Sequence, residues 1–268
     1  MKWNVALLQI ESHRGDLSYN RRRAEEMFRQ AMAAPVRPDL VMLSETWTSP
    51  YGPGMSKAEQ AAAYGEAADG ESLTMLRALA KEYGVWICAG SITLWEPGQP
   101  RAFNTMFLLD RAGQLVARYD KVHLCDWAKE NEAFASGDAS VTVDTELGKM
   151  GLAICYDVRF PEFLRLNVKA GAQILLLPAC FGTSLNHWRL LVQARAVENQ
   201  VFVLGCNGCG GKVVGHSMVV APDGEILAEA ESGETILTAT IDLDRIAETR
   251  KKVTYVSDRR EELYRQYT

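Results

Sequence analysis

The chain lacks any apolar run approaching the roughly 18 residues that a membrane-spanning helix needs. It also lacks a surplus of positive charge. Its 29 Lys plus Arg against 34 Asp plus Glu leave a formal net charge of −5. That balance argues against nucleic acid or an anionic membrane as the main partner, since both demand a concentrated basic patch. Gly148-Lys149 and Gly211-Lys212 are each without the hydroxyl residue of a phosphate-binding loop. No Gly-x-Gly-x-x-Gly follows the first apolar segment, and no Gly-x-Ser-x-Gly elbow occurs. His13, His123, His187 and His216 form no His-x-His or His-x-x-x-His pair. Cys206-Asn207-Gly208-Cys209, with His216 nearby, has no placeable fourth ligand for zinc. No metal or redox role is therefore expected at these cysteines. The opening residues, Met1 to Ile10, are too short and end too polar for a signal peptide, so a cytoplasmic protein is expected.

What is present is an ordinary globular composition, with 268 residues, 47% hydrophobic and 24% charged. A chain of this size buries enough surface to need no disulfide staple. Its six cysteines are expected to be reduced. Residues 3–10 read as a buried strand. Ala24, Met27, Phe28, Ala31 and Met32 then recur on one helical face. Asp39–Leu43 and Val85–Ser91 read as strands around a helix marked by Leu73, Leu76, Leu79, Ala80 and Tyr83. Phe103–Leu109 and Leu115–Tyr119 make a hairpin. Short strands near 141–143 and 150–154 precede a helix at Pro161–Ala170. Strands at 173–177 and 201–205 enclose a helix over Trp188–Asn199. Ser217–Val220 and Ile226–Ala230 flank a Pro-Asp-Gly turn, and Thr235–Ile241 is the last strand before a charged helix. Helices interleaved with strands and hairpins predict an α/β layered domain with mixed sheets. No linker divides it, so one domain is expected over residues 1–268, with residues from about 250 onward as a tail.

Three segments place a reactive side chain at the end of a predicted strand. Val41-Met42-Leu43-Ser44-Glu45 leaves a carboxylate half-desolvated, which is expected to raise its pKa and suit it to general-base work. Arg118-Tyr119-Asp120-Lys121-Val122-His123-Leu124 offers Lys121 as a fixed cation in a site, or as the partner of Asp120 or a neighbour at a hairpin edge. Met150 to Glu162 carries Cys155 where a strand gives way to a helix. There, nearby backbone N–H groups are expected to lower the thiol pKa and to form an oxyanion hole. Arg159 is close enough in sequence to bind an anionic substrate group, or to pair with Glu162.

A Glu, a Lys and a Cys in this order resemble the nitrilase superfamily of carbon–nitrogen hydrolases. Leu43-Ser44-Glu45 is similar to its base segment, Tyr119–Leu124 to its lysine segment and Gly151–Glu162 to its cysteine block. Further similarity lies in His187-Trp188, Ala194–Asn199, Gly215-His216-Ser217 and Pro222–Glu225. The resemblance implies a single-domain α-β-β-α sandwich of two mixed sheets that pairs into a homodimer or higher homo-oligomer. It implies Glu45 as general base, Cys155 as nucleophile and Lys121 as the cation that stabilises the tetrahedral intermediate. The Tyr156 backbone N–H becomes a second donor. Glu130, rather than Glu132, becomes a second carboxylate of the site. The substrate implied is a small-molecule amide, opened through a thioester without metal or cofactor.

The Cys155-Tyr156-Asp157-Val158-Arg159-Phe160 block resembles the omega-amidase and deaminated-glutathione amidase branches, and the Thr48-Ser49-Pro50-Tyr51-Gly52 loop is similar to that of omega-amidases. This points to ω-amides of dicarboxylic acids such as 2-oxoglutaramate and 2-oxosuccinamate. Arg159 would act as carboxylate clamp and Tyr51 would line the same pocket. Ser44 stands where the family usually has Pro, which predicts a looser backbone before the base. Another amidase, an N-carbamoyl amidohydrolase, a nitrilase or a silent interaction module are the competing readings. The C-terminal Asp258–Tyr264 segment is expected to pack at a domain edge or a partner subunit, away from substrate.

Overall fold

A computed structural model describes residues 1–50, 55–96 and 98–265. Its strands are β1 (Lys2–Gln9), β2 (Leu40–Leu43), β3 (Trp86–Cys88), β4 (Ile92–Leu94), β5 (Phe103–Leu109), β6 (Leu115–Asp120), β7 (Val141–Thr145) and β8 (Gly148–Leu152). They continue with β9 (Ile174–Ala179), β10 (Phe202–Asn207), β11 (Cys209–Gly210), β12 (Val213–Val214), β13 (Met218–Val220), β14 (Ile226–Glu229) and β15 (Thr235–Asp242). The helices are α1 (Leu17–Met32), α2 (Lys57–Tyr64), α3 (Glu71–Tyr83), α4 (Glu130–Ala133), α5 (Pro161–Lys169), α6 (Leu185–Asn199), α7 (Asp244–Lys252) and α8 (Glu261–Tyr264).

The first sheet runs β15-β1-β2-β3-β5-β4, with β6 paired to β5. The second runs β14-β13-β10-β9-β8-β7. Both are mixed, because β1–β2–β3 and β8–β9–β10 pair in parallel while their outer strands are antiparallel. The alternation along β1 explains the layering. Trp3, Val5 and Leu7 face the second sheet, whereas Ala6, Leu8 and Ile10 face the helical layer of α1 and α3. A strand covered on both faces reads as one apolar run, as parallel strands between helices do. On the far side, α5 packs on β8 and α6 on β10 and β13. The order of layers is therefore α-β-β-α. The sheets touch closely, since the buried Cys206 Sγ of β10 lies 3.5 Å from Leu8 O and 3.4 Å from Met42 O. Among the described residues no helix is long and apolar enough to cross a membrane, and all six cysteines are free.

The strand expected at Val85–Ser91 is broken after Cys88, and β4 starts at Ile92. Gly90 takes φ +63° there, and a Cβ on it would lie 2.1 Å from Ser44 O. Only glycine allows so close an approach with that backbone. The break brings residues 89–91 against the segment that follows β2. Helix α2 was not visible as a periodic pattern, because its capping box, Ser56 with Glu59, precedes an alanine-rich turn with little apolar face. The tail lies over the outer helices: Lys169 Nζ is 2.9 Å from Glu261, and Gln200 donates to Val253 O at 2.7 Å.

Candidate active site

Glu45 leaves the end of β2 into a segment pinned on several sides. Ser91 N donates to Ser44 O at 3.1 Å, Thr46 N to Ser91 Oγ at 3.0 Å, and Trp47 Nε1 to Ala89 O at 2.8 Å. At Ser44, where a looser backbone is expected, the carbonyl is anchored by the Ser91 N–H. Lys121 follows β6 directly, and its backbone N–H donates to Asn104 O at 2.9 Å. Its ammonium is buried, 2.8 Å from Glu45 Oε1 and 3.1 and 3.0 Å from the two Glu130 oxygens. Asp120 pairs with Arg118 instead, so the hairpin-edge reading of Lys121 is set aside. Glu130 is held by a tight turn: its Oε2 accepts from Cys125 N at 2.9 Å, and its own N–H donates to Cys125 O at 3.2 Å. Glu132 pairs with Lys129 instead.

Cys155 does not close the strand itself. β8 ends at Leu152, and Cys155 opens a short 3₁₀ turn, Cys155–Arg159, with φ +44°. Among the described residues, five non-glycines have φ in the left-handed region: Thr46, Lys129, Cys155, Gln200 and His216. Three of them are, or adjoin, Glu45, Glu130 and Cys155. Such backbone persists where surrounding bonds over-determine it, and it clusters at functional sites.

The electrostatics reverse two expectations. Burial alone would push the Glu45 carboxyl up, but the Lys121 charge and its hydrogen bond, with the Cys155 thiol and Asn104 also donating, hold it below the ordinary value. Burial works against the Lys121 charge as well. Glu45 and then Glu130 more than offset it, so the ammonium is held well above its usual range. Burial and the adjacent Glu45 carboxylate push the Cys155 thiol well up, against the pull of Lys121. At rest the group is thus a carboxylate, an ammonium and a neutral thiol beside Glu45. The turn's N–H groups do not supply a standing thiolate.

These side chains form the floor of a cavity of about 700 Å³. Arg159 and Tyr156 line its wall. The Arg159 guanidinium lies 5.1 Å from the Phe181 ring centroid and 5.9 Å from that of Tyr156, and Nη2 is 3.4 Å from Thr183 Oγ1. Among the described residues the contacts of Arg159 are with Thr183, Phe181 and Tyr156 and none is with a carboxylate, so the Glu162 pairing does not occur. Tyr51 lies outside the described residues.

A carbon–nitrogen hydrolase family profile matches residues 4–251. The chain belongs to the carbon–nitrogen hydrolase family. It is 34% identical to an omega-amidase, NIT3, of Saccharomyces cerevisiae, over 98% of this chain and 95% of that protein. It is 34% identical to a 2-oxoglutaramate amidase of Bacillus subtilis, over 98% of this chain and all (100%) of that one. The crystal structure of Saccharomyces cerevisiae Nit3, a member of branch 10 of the nitrilase superfamily, superimposes with TM-score 0.87 at 35% identity, covering 94% of each chain.

In this carbon–nitrogen hydrolase the structure also brings up groups that the sequence words did not single out. Asn104 Nδ2 donates to Glu45 Oε1 at 2.9 Å, and the Cys180 N–H donates to Glu45 Oε2 at 2.8 Å. Asn104 carried a signal, a polar residue inside the apolar strand Phe103–Leu109. A backbone N–H at Cys180 carries none.

Proposed function

We propose that this protein hydrolyses the terminal amide of a small carboxylate-bearing acid, of the 2-oxoglutaramate or 2-oxosuccinamate kind, releasing ammonia. The observation that carries the chemistry is the contact of Glu45, Lys121 and the Cys155 thiol at one cavity floor. Glu45, held ionised, takes the thiol proton as sulfur attacks the amide carbon. A thiol that is neutral at rest fits a proton transfer coupled to attack. Lys121 and the Tyr156 N–H, one of the donors that a helical first turn leaves without an internal partner, stabilise the developing oxyanion. Glu45, now protonated, gives its proton to the leaving nitrogen, so ammonia departs and a thioester stays on Cys155. Water, deprotonated by Glu45, then opens the thioester to the free acid and restores the thiol. Glu130, on the other side of Lys121, keeps the ammonium charged and aimed. The donor set at this floor carries the whole sequence of steps without calling on a metal.

The carboxylate preference rests on Arg159, a guanidinium that faces the cavity with no carboxylate partner among the described residues and whose fork suits bidentate binding. The names of the similar omega-amidase and 2-oxoglutaramate amidase agree with it. Tyr51 is proposed to line the same pocket. The protein is proposed to work in the cytoplasm as a homo-oligomer paired through its α5–α6 layer, where Leu166 and Leu190 are exposed.

The test is ammonia release from 2-oxoglutaramate, 2-oxosuccinamate, a neutral aliphatic amide, an N-carbamoyl amino acid and a nitrile, with Cys155→Ala as control. Preference for the oxo-acid amides supports the reading. Turnover of only another panel member keeps the chemistry and moves the substrate.

A further inference from the structure

Asp157 takes no part in the reaction as proposed, yet it is the carboxylate bonded most fully beside the site. It is completely buried and does not line the cavity. Its Oδ2 accepts from the Ile154 N–H at 2.8 Å and from the Tyr119 hydroxyl at 2.6 Å. Its Oδ1 accepts from the His123 N–H at 3.1 Å and lies 2.8 Å from His123 Nδ1. Tyr119 and His123 stand two residues before and two after Lys121, and Asp157 stands two after Cys155. A single carboxylate therefore bonds the turn carrying the thiol to both flanks of the lysine.

The backbone supports the same conclusion independently. Cys155 adopts φ +44°, and a non-glycine stays there only where its neighbours hold it. Ile154, the residue immediately before, is tied reciprocally to Asp157. Its N–H donates to the carboxylate, and its carbonyl accepts from the Asp157 N–H at 3.0 Å. The Tyr119 hydroxyl also accepts from Val122 N at 3.2 Å, so the phenol braces the chain directly after Lys121. His123 stacks on Phe160, with ring centroids 3.8 Å apart, and so fastens the lysine strand to the far end of the same turn.

We infer that Asp157 is a positioning residue that sets the distance between the Cys155 thiol and the Lys121 ammonium, with the Tyr119 hydroxyl and His123 as its contacts on the lysine strand. This rests on the assignment of Cys155 and Lys121 proposed above. Asp157 touches neither substrate nor reacting atoms. It acts by keeping two groups from different sheets in register, and a displacement of about 1 Å at such pairs lowers rates substantially.

Tyr119→Phe tests this with almost no change of volume. Its kcat is expected to fall about 10-fold on carboxylate-bearing and neutral amides alike, with KM within about twofold. Asp157→Asn, which keeps one acceptor oxygen, is expected to fall about 100-fold in kcat. Tyr119→Phe keeps the inference testable if Asp157→Asn does not fold. A second readout needs no substrate. Lys121 pulls the thiol pKa down, so loosening the tie is expected to move the pH profile of Cys155 alkylation upward in Tyr119→Phe. Wild-type kcat with an unchanged alkylation profile, whatever the change in melting temperature, overturns the inference and leaves Asp157 a structural residue. A rise in KM at unchanged kcat overturns it as well. If the wild type turns over none of the panel amides, the functional reading fails, and the alkylation profile still decides the positioning role.

Discussion

Lys121 and Arg159 are two cations on the same cavity, and they are held in opposite ways. The Lys121 side chain is 1% exposed, wedged between two carboxylates, with its backbone bonded to Asn104. Arg159 is partly exposed, and among the described residues its one side-chain hydrogen bond reaches Thr183 Oγ1 at 3.4 Å. The floor of the cavity is over-determined, while its wall is thinly held. Charge that must meet a transition state is best fixed in advance, since preorganised groups need no reorganisation when the reaction occurs. Charge that selects a substrate needs only to be unpaired and within reach.

The sharpest way to break this contrast is at the floor. Cys155→Ala is expected to cut turnover at least about 1,000-fold while the melting curve stays within a few degrees, because it removes a single partly buried sulfur. Near-wild-type ammonia release by that variant would sink the mechanism. Lys121→Met comes next. It leaves Glu45 and Glu130 facing each other without their cation, so a kcat loss of about 100- to 1,000-fold is expected together with about 3–5 kcal/mol of stability. Denaturant unfolding of the variant measures the second quantity, and an unchanged midpoint would mean that the carboxylates are held independently of the lysine.

Gly90→Ala probes the support one layer out. The new Cβ would meet Ser44 O at 2.1 Å with φ at +63°, and about 2–4 kcal/mol of destabilisation is expected, with kcat falling as Glu45 shifts. A variant as stable as the wild type would show that the Glu45 segment has slack. At the wall the effect is smaller and selective. Arg159→Lys is expected to raise KM about 10-fold for carboxylate-bearing amides and to leave neutral amides within about twofold. Equal effects on both would remove Arg159 from carboxylate binding.

The smallest effect expected is that of pH. Glu45 is held below its ordinary value of 4.5 and Lys121 well above 10.5. The working ionisation therefore persists from about pH 6 to about pH 9, and kcat/KM on a fully ionised substrate is expected to be level there. The stability contributions follow the same signs. That of Glu45 is present above its unfolded pKa and lost as pH falls through the lower folded one. That of Lys121 is present below its unfolded pKa and lost as pH rises through the higher folded one. An acid limb at pH 6 to 7 would show that Glu45 is protonated at rest, contrary to its bonds with Lys121, Asn104 and Cys180.

How much of this was legible in the chain depends on distance along it. The positions of Glu45 and Lys121 at strand ends, the layered α/β class and most strands and helices follow from local alternation and helical spacing, which a single chain displays openly. The break at Gly90 was hidden, because its reason is a contact with Ser44, 46 residues earlier. The direction of two pKa shifts is not legible in the chain for the same reason. Taken alone, Glu45 at the end of an apolar strand is a desolvated acid, and Cys155 at a turn is a thiol among N–H donors.

The sequence by itself determined which residue types follow which strands, hence the family and the nucleophile candidate, and it showed the absence of the familiar nucleotide-binding and paired-histidine metal signatures. Tertiary structure decided what those residues are electrically. It put Lys121 2.8 Å from Glu45, between that carboxylate and Glu130, and it tied the Cys155 turn to the lysine strand through Asp157. Charge interactions in a buried site depend on separations of a few ångströms between groups that lie 76 residues apart in the chain, as Glu45 and Lys121 do, and no local pattern encodes that distance.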